Sequence, residues 1–385
     1  MATGETDTRD LDFSQVNGQA LLKRATEVAV AGGHNILYIG PPGSGKSMVA
    51  NRIPGIMPPL SRLEQLEISK IYSICGKLPP DRPLITHRPF RSPSPTTTAI
   101  ALLGGGNNPR PGELSLASKG VLFLDELPEF GRYMLEQLRQ PLEEHAVTVS
   151  RNYATCRFPA DFMLAAAMNP CGCGYHPDKS RCNCSGAQIR KYLSKISWPL
   201  LDRFDICVES APVPYAELVS KRANETSAQV AVRVQRAIDV QERRFRGAGN
   251  TGKDARESDG AAGGSGHDSD YIGLEAGGGF GPVGGQVGGQ VGGQIGAAAN
   301  TGKRNARMNA EEVEEHCALG AAENKMLERF FERGQLSARS YYKILKVART
   351  VADLGGSPDI EKEHLAEAIG YRVYIDKYWG GANEW

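Results

Sequence analysis

The chain has 385 residues, 40% of them apolar, which is enough to bury a sizeable core in two or three domains. Its formal net charge of +1 provides no long-range field for a polyanion, so any nucleic-acid site has to come from local clusters of Lys and Arg. The polar N-terminus and the short apolar runs argue against secretion and membrane insertion, and they predict a cytoplasmic protein.

The first motif follows a short apolar strand. Residues 12–46 run from a helical stretch into the strand NILYI and then into the turn GPPGSGKS, the context that a phosphate-binding loop requires. In such a loop Lys46 reaches the β- and γ-phosphates, and the Ser47 hydroxyl binds Mg²⁺. The sequence therefore predicts an ATP and Mg²⁺ site, with a chance glycine-rich turn as the alternative. The predicted cofactor-binding residues of this loop are Gly40, Pro41, Pro42, Gly43, Ser44, Gly45, Lys46 and Ser47.

Two further apolar stretches, GVLFLDE at 120–126 and FMLAAAMN at 162–169, lack polar alternation and predict strands buried on both faces. With helical segments between them, such as residues 132–144, they predict an α/β fold with a doubly wound, largely parallel sheet. The first stretch ends in Asp125, which suits a Mg²⁺-binding role, and Glu126, which suits the base that activates the attacking water. The alternative is a solvated strand end.

A predicted β-hairpin at 145–160 precedes the strand at 162–169. Its hydroxyls and arginines suit phosphate contacts without sequence readout, and its tyrosine suits stacking on a base. An ordinary hairpin with exposed polar residues is the alternative. The candidate DNA contacts in the hairpin are Thr148, Ser150, Arg151, Tyr153 and Arg157. A second candidate is the segment HRPFR, with His87, Arg88 and Arg91.

Two polar residues beyond the hairpin complete the predicted hydrolytic site. Asn169 closes its strand, where the amide would hold the attacking water or a γ-phosphate oxygen, with an Asn-Pro turn as the alternative. Arg203 lies in PLLDRFD between Asp202 and Asp205, so an internal salt bridge is one interpretation. The other is a guanidinium that stabilises charge on the γ-phosphate of a neighbouring subunit.

Four of the eight cysteines lie within fourteen residues, in CGCGYHPDKSRCNC. In a reducing compartment such paired cysteines favour metal binding over disulfides. Four thiolates would form a closed, structural Zn²⁺ site with no open position for catalysis. Free or redox-active thiols are the alternative. The predicted ligands are Cys171, Cys173, Cys182 and Cys184.

The last third of the chain is helical around a glycine-rich segment. Val230, Val234 and Ile238 recur every four residues, and SARSYYKILKVARTVADLGG at 337–356 has an apolar face that ends at two glycines. Residues between these helices contain VGGQVGGQVGGQIG and too little apolar surface to offset the entropy of ordering. The predicted segments are a disordered N-terminus at 1–11, a nucleotide-binding core at 12–212, a connecting lid helix at 213–246, a low-complexity insert at 247–303, a helical lid at 304–372 and a tail at 373–385.

Seven segments together make the chain resemble the magnesium-chelatase-like AAA+ ATPases of the ComM/YifB type. They are GHNILYIGPPGSGKS, HRPFRSPSPTTTAIALLGGG, RPGELSLASKGVLFLDELPEF, LRQPLEE, MNPCGCGY, LLDRFD and LSARSYYKILKVARTVADL, within residues 12–246 and 305–372. The resemblance implies an AAA+ core with a small α-helical lid, assembled into a ring that is commonly a hexamer. It also implies that Asn169 is the sensor-1 residue, Arg203 the trans-acting arginine finger and Arg339 the sensor-2 arginine of the lid.

The chain departs from this family in three respects. Family members usually begin with a domain resembling the Lon protease fold, which we expect this chain to lack, and Ser94-Pro95 stands where the family typically has histidines. The glycine-rich insert is the third difference. None of the three touches the predicted nucleotide site, so the ATPase expectation stands.

The leading functional hypothesis is a ring-forming, Mg²⁺-dependent ATPase that moves along or remodels single-stranded or branched DNA. Branch migration or helicase-like action in recombination or transformation is the corresponding role. The alternative is a chelatase-type or chaperone-type ATPase subunit that remodels a protein partner and binds no DNA. A partial, unproductive homologue is a third alternative.

Overall fold

The computed structural model describes residues 11–81, 83–151, 154–218, 224–247, 302–333 and 337–380. One compact unit contains the residues up to Gln241 and those from Arg304 onward, and residues 242–303 form a second unit. Residues 1–10 of the predicted N-terminal segment and most of the predicted insert lie outside the described residues. Within the described part, none of the helices is long and apolar enough to cross a membrane.

The centre of the compact unit is a parallel sheet of five strands in the order β2-β5-β8-β1-β9. The predicted strands are confirmed as β1, β5 and β8, and their residues are buried throughout because helices cover both faces. The strands of the described residues are β1 Ile36–Ile39, β2 Phe90–Arg91, β3 Gly104–Gly105, β4 Arg110–Pro111, β5 Val121–Leu124, β6 Ala146–Arg151, β7 Ala154–Pro159, β8 Met163–Met168 and β9 Ile206–Glu209.

Helices occupy the connections of the sheet and the C-terminal region, which confirms the expected α/β core followed by a helical region. In the described residues they are α1 Ala20–Gly32, α2 Lys46–Ala50, α3 Arg62–Ile74, α4 Ala99–Leu103, α5 Glu113–Leu116, α6 Arg132–Glu136, α7 Arg139–Glu144, α8 Gly186–Leu193, α9 Trp198–Leu201, α10 Tyr215–Leu218, α11 Ser227–Gly247, α12 Ala310–His316, α13 Ala321–Arg333, α14 Ala338–Gly355 and α15 Lys362–Ile375. A π-helical turn, Asp376–Gly380, continues α15.

The predicted helix at 132–144 is two helices, α6 and α7, separated at Gln137 and Leu138. Pro141 explains the interruption. It has no N–H to donate to the carbonyl of Gln137, and its ring crowds that carbonyl. The single-helix prediction was therefore wrong, and the reason is visible in the sequence.

Helix α14 carries the predicted apolar face of the lid. Ser337 caps its N-terminus by accepting a hydrogen bond from the Ser340 N–H, and Gly356 ends it in the left-handed conformation at φ 72°. Tyr341 remains 37% exposed at the N-terminal end, where it contacts Phe331 edge-on. The buried members of the face are Ile344, Leu345, Ala348 and Val351.

The chain leaves the compact unit after Gln241 and returns just before Asn305. These two residues are 64 positions apart, yet the Asn305 N–H donates to the Gln241 side chain at 3.0 Å. Gln241 also donates to the carbonyl of Ala31 at 3.0 Å, and Asn305 donates to Asp353 at 2.8 Å. The two points where the segment departs and returns are therefore adjacent and joined to both α1 and α14.

Charged residues join α14 and α15 to the loop DRFD, which precedes β9. Asp205 pairs with Lys343 of α14 at 3.2 Å and with the fully buried His34 at 3.1 Å. Asp202 pairs with Arg372 of α15 at 3.2 Å. Burial opposes ionisation of Asp205, but Lys343 and His34 outweigh it and hold the pKa of Asp205 below its usual range.

We predict that Asp205→Ala lowers the free energy of unfolding by about 3–5 kcal/mol, because it leaves the Lys343 ammonium in a buried position without its carboxylate. Urea unfolding at neutral pH, followed by tryptophan fluorescence, measures the change. Asp359→Ala removes an exposed aspartate from the same region and serves as the control. Equal unfolding midpoints for the two variants would contradict the proposed role of the ion pair.

Candidate functional site

Three adjacent strands end at one edge of the central sheet. Strand β8 lies between β1 and β5, and all three run parallel. The loop at 40–45 follows β1, Asn169 follows β8, and Asp125 with Glu126 follows β5. Crevices outside the carboxyl ends of parallel strands are the usual ligand sites of such sheets.

The ammonium of Lys46 lies inside the loop that follows β1. It donates to the carbonyls of Gly40 and Pro41, each at 2.8 Å, and lies 3.3 Å from Oδ1 of Asn169. Burial lowers the pKa of Lys46 to about 8, although Asp125 opposes this change. The loop has the backbone that a phosphate cradle needs, since Gly43 and Gly45 adopt φ 73° and 84°.

Two residues that the sequence did not single out support this loop. Ser210, which follows β9, hydrogen-bonds to the Ser44 hydroxyl at 2.6 Å, and a Cβ on Gly40 would lie 1.9 Å from its Oγ. Gln19, just before α1, donates to the carbonyl of Ser44 at 2.9 Å and to that of Ala211 at 2.7 Å. No local pattern marks either residue, because the contacts join distant parts of the chain.

The side chains of Ser47 and Asp125 meet across the gap between α2 and β5. The Ser47 hydroxyl donates to Oδ2 of Asp125 at 2.6 Å, and Oδ1 of Asp125 accepts the Glu126 N–H at 2.9 Å. An adjacent hydroxyl and carboxylate are the hard oxygen ligands that Mg²⁺ takes in nucleotide sites, so these residues fit that ion. Glu126 is exposed and has the uncommon left-handed φ of 52°, a conformation that recurs at functional sites.

Asn169 is held in place from two sides. Its side chain faces Lys46, and its backbone hydrogen-bonds to the hydroxyl of Tyr192 in α8. Burial, with the nearby carboxylate of Glu129, raises the pKa of Tyr192, which keeps the hydroxyl neutral. The amide therefore lies beside Lys46, at the carboxyl end of the strand between β1 and β5.

The four predicted cysteine ligands come together in the loop after Asn169. Their sulfur atoms all lie within 4.8 Å of one another, with Cys171 to Cys173 at 3.3 Å and Cys173 to Cys182 at 3.5 Å. A tetrahedral Zn²⁺ with Zn–S bonds of ~2.3 Å places its sulfurs about 3.8 Å apart, so the cluster has the required size. The loop also contacts the phosphate loop, since a Cβ on Gly174 would lie 2.5 Å from Pro42.

Arg203 pairs with Glu143 of α7 and not with either neighbouring aspartate. Arg339 of α14 lies beside it, 4.0 Å from Asp202, and is 70% exposed. Burial and the nearby cations Arg339 and Arg139 lower the pKa of Arg203. The two predicted arginines thus lie near each other, Arg203 within the DRFD loop and Arg339 at the start of α14. Arg203 also lines a cavity of about 460 Å³.

The hairpin is present as β6 and β7, with Thr148 opposite Arg157 and Ser150 opposite Thr155. These four side chains are exposed, whereas Val147 and Val149 are buried, so one face of the hairpin is polar. Tyr153 and the side chain of Arg151 lie outside the described residues.

The segment HRPFR is not a nucleic-acid site at its arginines, and that prediction was wrong for Arg91. Arg91 is fully buried and makes a bidentate pair with Glu113 at 2.6 and 2.8 Å. Arg88 donates to backbone carbonyls of Pro58 and Lys119, each at 2.6 Å. Both guanidiniums hold the structure around β2 together.

Comparison with known families agrees with this arrangement. Residues 12–218 match the family model described as magnesium chelatase, subunit ChlI, and residues 294–372 match the model of the ChlI C-terminal region. The first match covers more than half of the chain, and the chain belongs to this family. Its fold is accordingly that of an AAA+ domain, a parallel five-stranded sheet with helices, followed by a helical C-terminal region.

Among individual proteins, the chain is 37% identical over 370 residues to competence protein ComM of Haemophilus influenzae, covering 95% of this chain and 60% of that protein. It is also 37% identical over 368 residues to the uncharacterized protein YifB of Escherichia coli K12, covering 95% of this chain and 61% of that protein. The chain thus spans about 60% of the length of these relatives.

We predict that ATP binding weakens above about pH 8, because the Lys46 ammonium that meets the phosphates loses its proton there. In the Glu126→Gln variant, the Kd for ATP should be constant up to about pH 7.5 and then rise toward tenfold per pH unit. Calorimetry near pH 8.5 in two buffers of different ionisation enthalpy should reveal proton uptake on binding. Affinity independent of pH between about 7 and 9 would contradict this assignment of Lys46.

Proposed function

We propose that the chain is a Mg²⁺-dependent ATPase of the AAA+ type that works as a ring and acts on DNA in the cytoplasm. The observation that carries the ATPase proposal is the 2.6 Å hydrogen bond between Ser47 and Asp125, beside Lys46 and Asn169. This contact brings the two Mg²⁺ ligands together at the strand ends where the phosphate loop begins.

Each residue of this site has one role in converting ATP and water to ADP and phosphate. Lys46 and the backbone N–H groups of residues 40–47 would hold the β- and γ-phosphates, and Ser47 and Asp125 would hold Mg²⁺, which would neutralise charge on the phosphate oxygens. Glu126 takes the proton of the attacking water, and Asn169 orients that water or a γ-phosphate oxygen. Lys46 has to exchange its contacts with the Gly40 and Pro41 carbonyls for phosphate oxygens.

The ring proposal rests on Arg203 and its surroundings. Arg339 lies near Arg203 of the DRFD loop, 4.0 Å from Asp202, and α9, which precedes Arg203, leaves Trp198 50% exposed. Exposed aromatic residues and arginines are both enriched at protein interfaces. We therefore place Arg203 and Arg339 at the face that a second copy covers, acting on its nucleotide. A hexamer is the assembly that the family resemblance favours.

The DNA proposal rests on the hairpin of β6 and β7. Its exposed face presents Thr148, Ser150 and Arg157, which suit contacts to phosphates, with single-stranded or branched DNA as the substrate. The name of the relative from Haemophilus influenzae connects that protein with competence. Branch migration or a helicase-like activity in recombination or transformation would use such contacts.

A chelatase-type or chaperone-type ATPase that remodels a protein partner is the second candidate. It is favoured by an apolar groove between α13 and α15, about 500 Å³ in volume and lined by Met326, Phe330 and Ile369. A groove of this kind suits an apolar segment of another protein. The response of ATP turnover to DNA separates the two candidates.

We predict that single-stranded or forked DNA raises the rate of ATP turnover, and that Arg151→Ala/Arg157→Ala removes the stimulation but leaves the basal rate. The rate of phosphate release, with and without DNA, measures this stimulation. Arg62→Ala, which removes an exposed cation from α3, is the control. Turnover indifferent to DNA would favour the protein-remodelling candidate.

Lys46→Ala should not bind ATP, whereas Glu126→Gln should bind it without turnover.

We predict that Arg203→Ala binds ATP nearly normally but hydrolyses it roughly 10³–10⁵ times more slowly, because the finger acts on the neighbouring subunit. Mixing Arg203→Ala with Lys46→Ala should partly restore turnover, since mixed rings contain intact pockets next to intact fingers. Mass photometry verifies that mixed assemblies form. Mixed assemblies without restored turnover would assign Arg203 to its structural contact with Glu143.

The cysteine cluster completes the proposal as a structural Zn²⁺ site. Cys171 is buried and the other three sulfurs are half-buried, so a metal bound there would be shielded by the loop. Four thiolates would leave no open position, which makes the site structural. Such a metal would fix the loop that joins Asn169 to α8.

We predict about one zinc per chain in protein purified without added metal, measured by elemental analysis. Cys173→Ser/Cys182→Ser should lose the metal and weaken ATP binding, because the loop contacts Pro42 and follows Asn169. Cys75→Ser, at a half-buried cysteine outside the cluster, is the control and should retain both. Full activity of a protein that contains no zinc would contradict this assignment and would show that the four cysteines are ordinary thiols.

A further inference from the structure

Positive charge is concentrated in the cysteine loop and the helix that follows it. Residues 171–195 contain five Lys or Arg and a single Asp, in a chain whose total charge is +1. The hairpin of β6 and β7, by comparison, has two arginines between residues 145 and 160. The loop and α8 therefore carry more cations than the hairpin does.

Four of these five cations are exposed and available. In the part of the chain that the structure describes, no carboxylate forms an ion pair with Lys179, Arg181, Arg190 or Lys191 within 4.0 Å, whereas Lys195 pairs with Glu129 at 2.9 Å. Asp178 accepts hydrogen bonds from the N–H and the hydroxyl of Ser180, at 2.9 and 2.6 Å. Its carboxylate is thus engaged within its own turn.

An aromatic ring lies within this charged surface. The guanidinium of Arg181 lies 4.0 Å from the centre of the Tyr175 ring, a cation–π contact. Proteins that bind single strands without sequence preference combine a positive surface that follows the backbone with aromatic and Arg planes on which bases stack. Both components are present here within seven residues of sequence.

The cations are also held in fixed relative positions. Both ends of the loop lie close together, since Cys171 and Cys184 belong to the cluster of sulfurs within 4.8 Å of one another. Ser185 caps α8 by accepting the Gln188 N–H, and Ile189 and Leu193 anchor the helix in the core. A surface that is already ordered loses little entropy when it binds a strand.

We propose that the cysteine loop and α8 bind the phosphodiester backbone of single-stranded DNA. Lys179, Arg181, Arg190 and Lys191 contact phosphates, and the stacked pair of Tyr175 and Arg181 supports a base. This inference rests on the proposed action on DNA and names a site for it apart from the hairpin. The same loop follows Asn169 and contacts Pro42, so bound DNA lies one loop away from the phosphates of ATP.

The test measures binding of the full chain to a fluorescent oligo-dT strand by anisotropy over a series of salt concentrations. The variant replaces Lys179, Arg181, Arg190 and Lys191 by Gln. Four lost phosphate contacts should reduce the slope of log K against log salt by about 2.8, and weaken binding by nearly three orders of magnitude, roughly, at 0.1 M salt. A matched control variant removes the same charge from exposed positions elsewhere, at Arg62, Lys70, Lys325 and Arg329.

Three results are informative. Loss of slope and affinity in the loop variant alone, with parental zinc content and basal ATP turnover, supports the inference. Parental binding with an unchanged slope in the loop variant overturns it but leaves the proposed DNA motor intact, as does an equal loss in the control variant. No binding of the strand by the parent protein overturns the DNA part of the proposed function as well. Tyr175→Leu should weaken binding without changing the slope, since a ring contributes stacking and no charge.

Discussion

The position of β8 between β1 and β5 is the constraint on which the candidate site depends. Parallel pairing brings the carboxyl ends of three strands to one edge, so that residues from three separate parts of the chain become neighbours. Lys46 thereby reaches Asn169, and Ser47 reaches Asp125, 78 positions away in the chain. Neither contact depends on a long loop, because each residue lies within a few positions of a buried strand or helix end.

The DRFD loop also brings residues from separate parts of the chain together, at the opposite boundary of the core. Its two aspartates bind cations from α14 and α15, and the arginine between them pairs with Glu143 of α7. A movement of the helical region would therefore act on the residue that we propose to serve the neighbouring subunit. The buried hydrogen bond between His34 and Thr350 strengthens this connection, because losing either side chain would leave the other buried without a partner, which is costly.

Much of the fold and part of the site could be predicted from the sequence because their signals are local. Each apolar strand lies within ten residues of the motif that follows it, which is residues 40–47 for one strand and Asp125 for the other. The four cysteines lie within fourteen residues. Ser210 and Gln19 could not be predicted, because their contacts with Ser44 depend on strand order. Arg91 lies in a cationic segment, and only tertiary packing shows that its charge is buried against Glu113. The break between α6 and α7 could have been predicted from the sequence, because it follows from the chemistry of Pro141.

The hydrogen bond between Gln241 and Asn305 has a consequence for how sequences of this kind diverge. The chain departs and returns at neighbouring points that are already joined to α1 and α14. A change of length between these two residues therefore leaves both ends of the connection in place, so it need not disturb α1, α14 or the candidate site. Length variation among relatives should accordingly concentrate between these two positions.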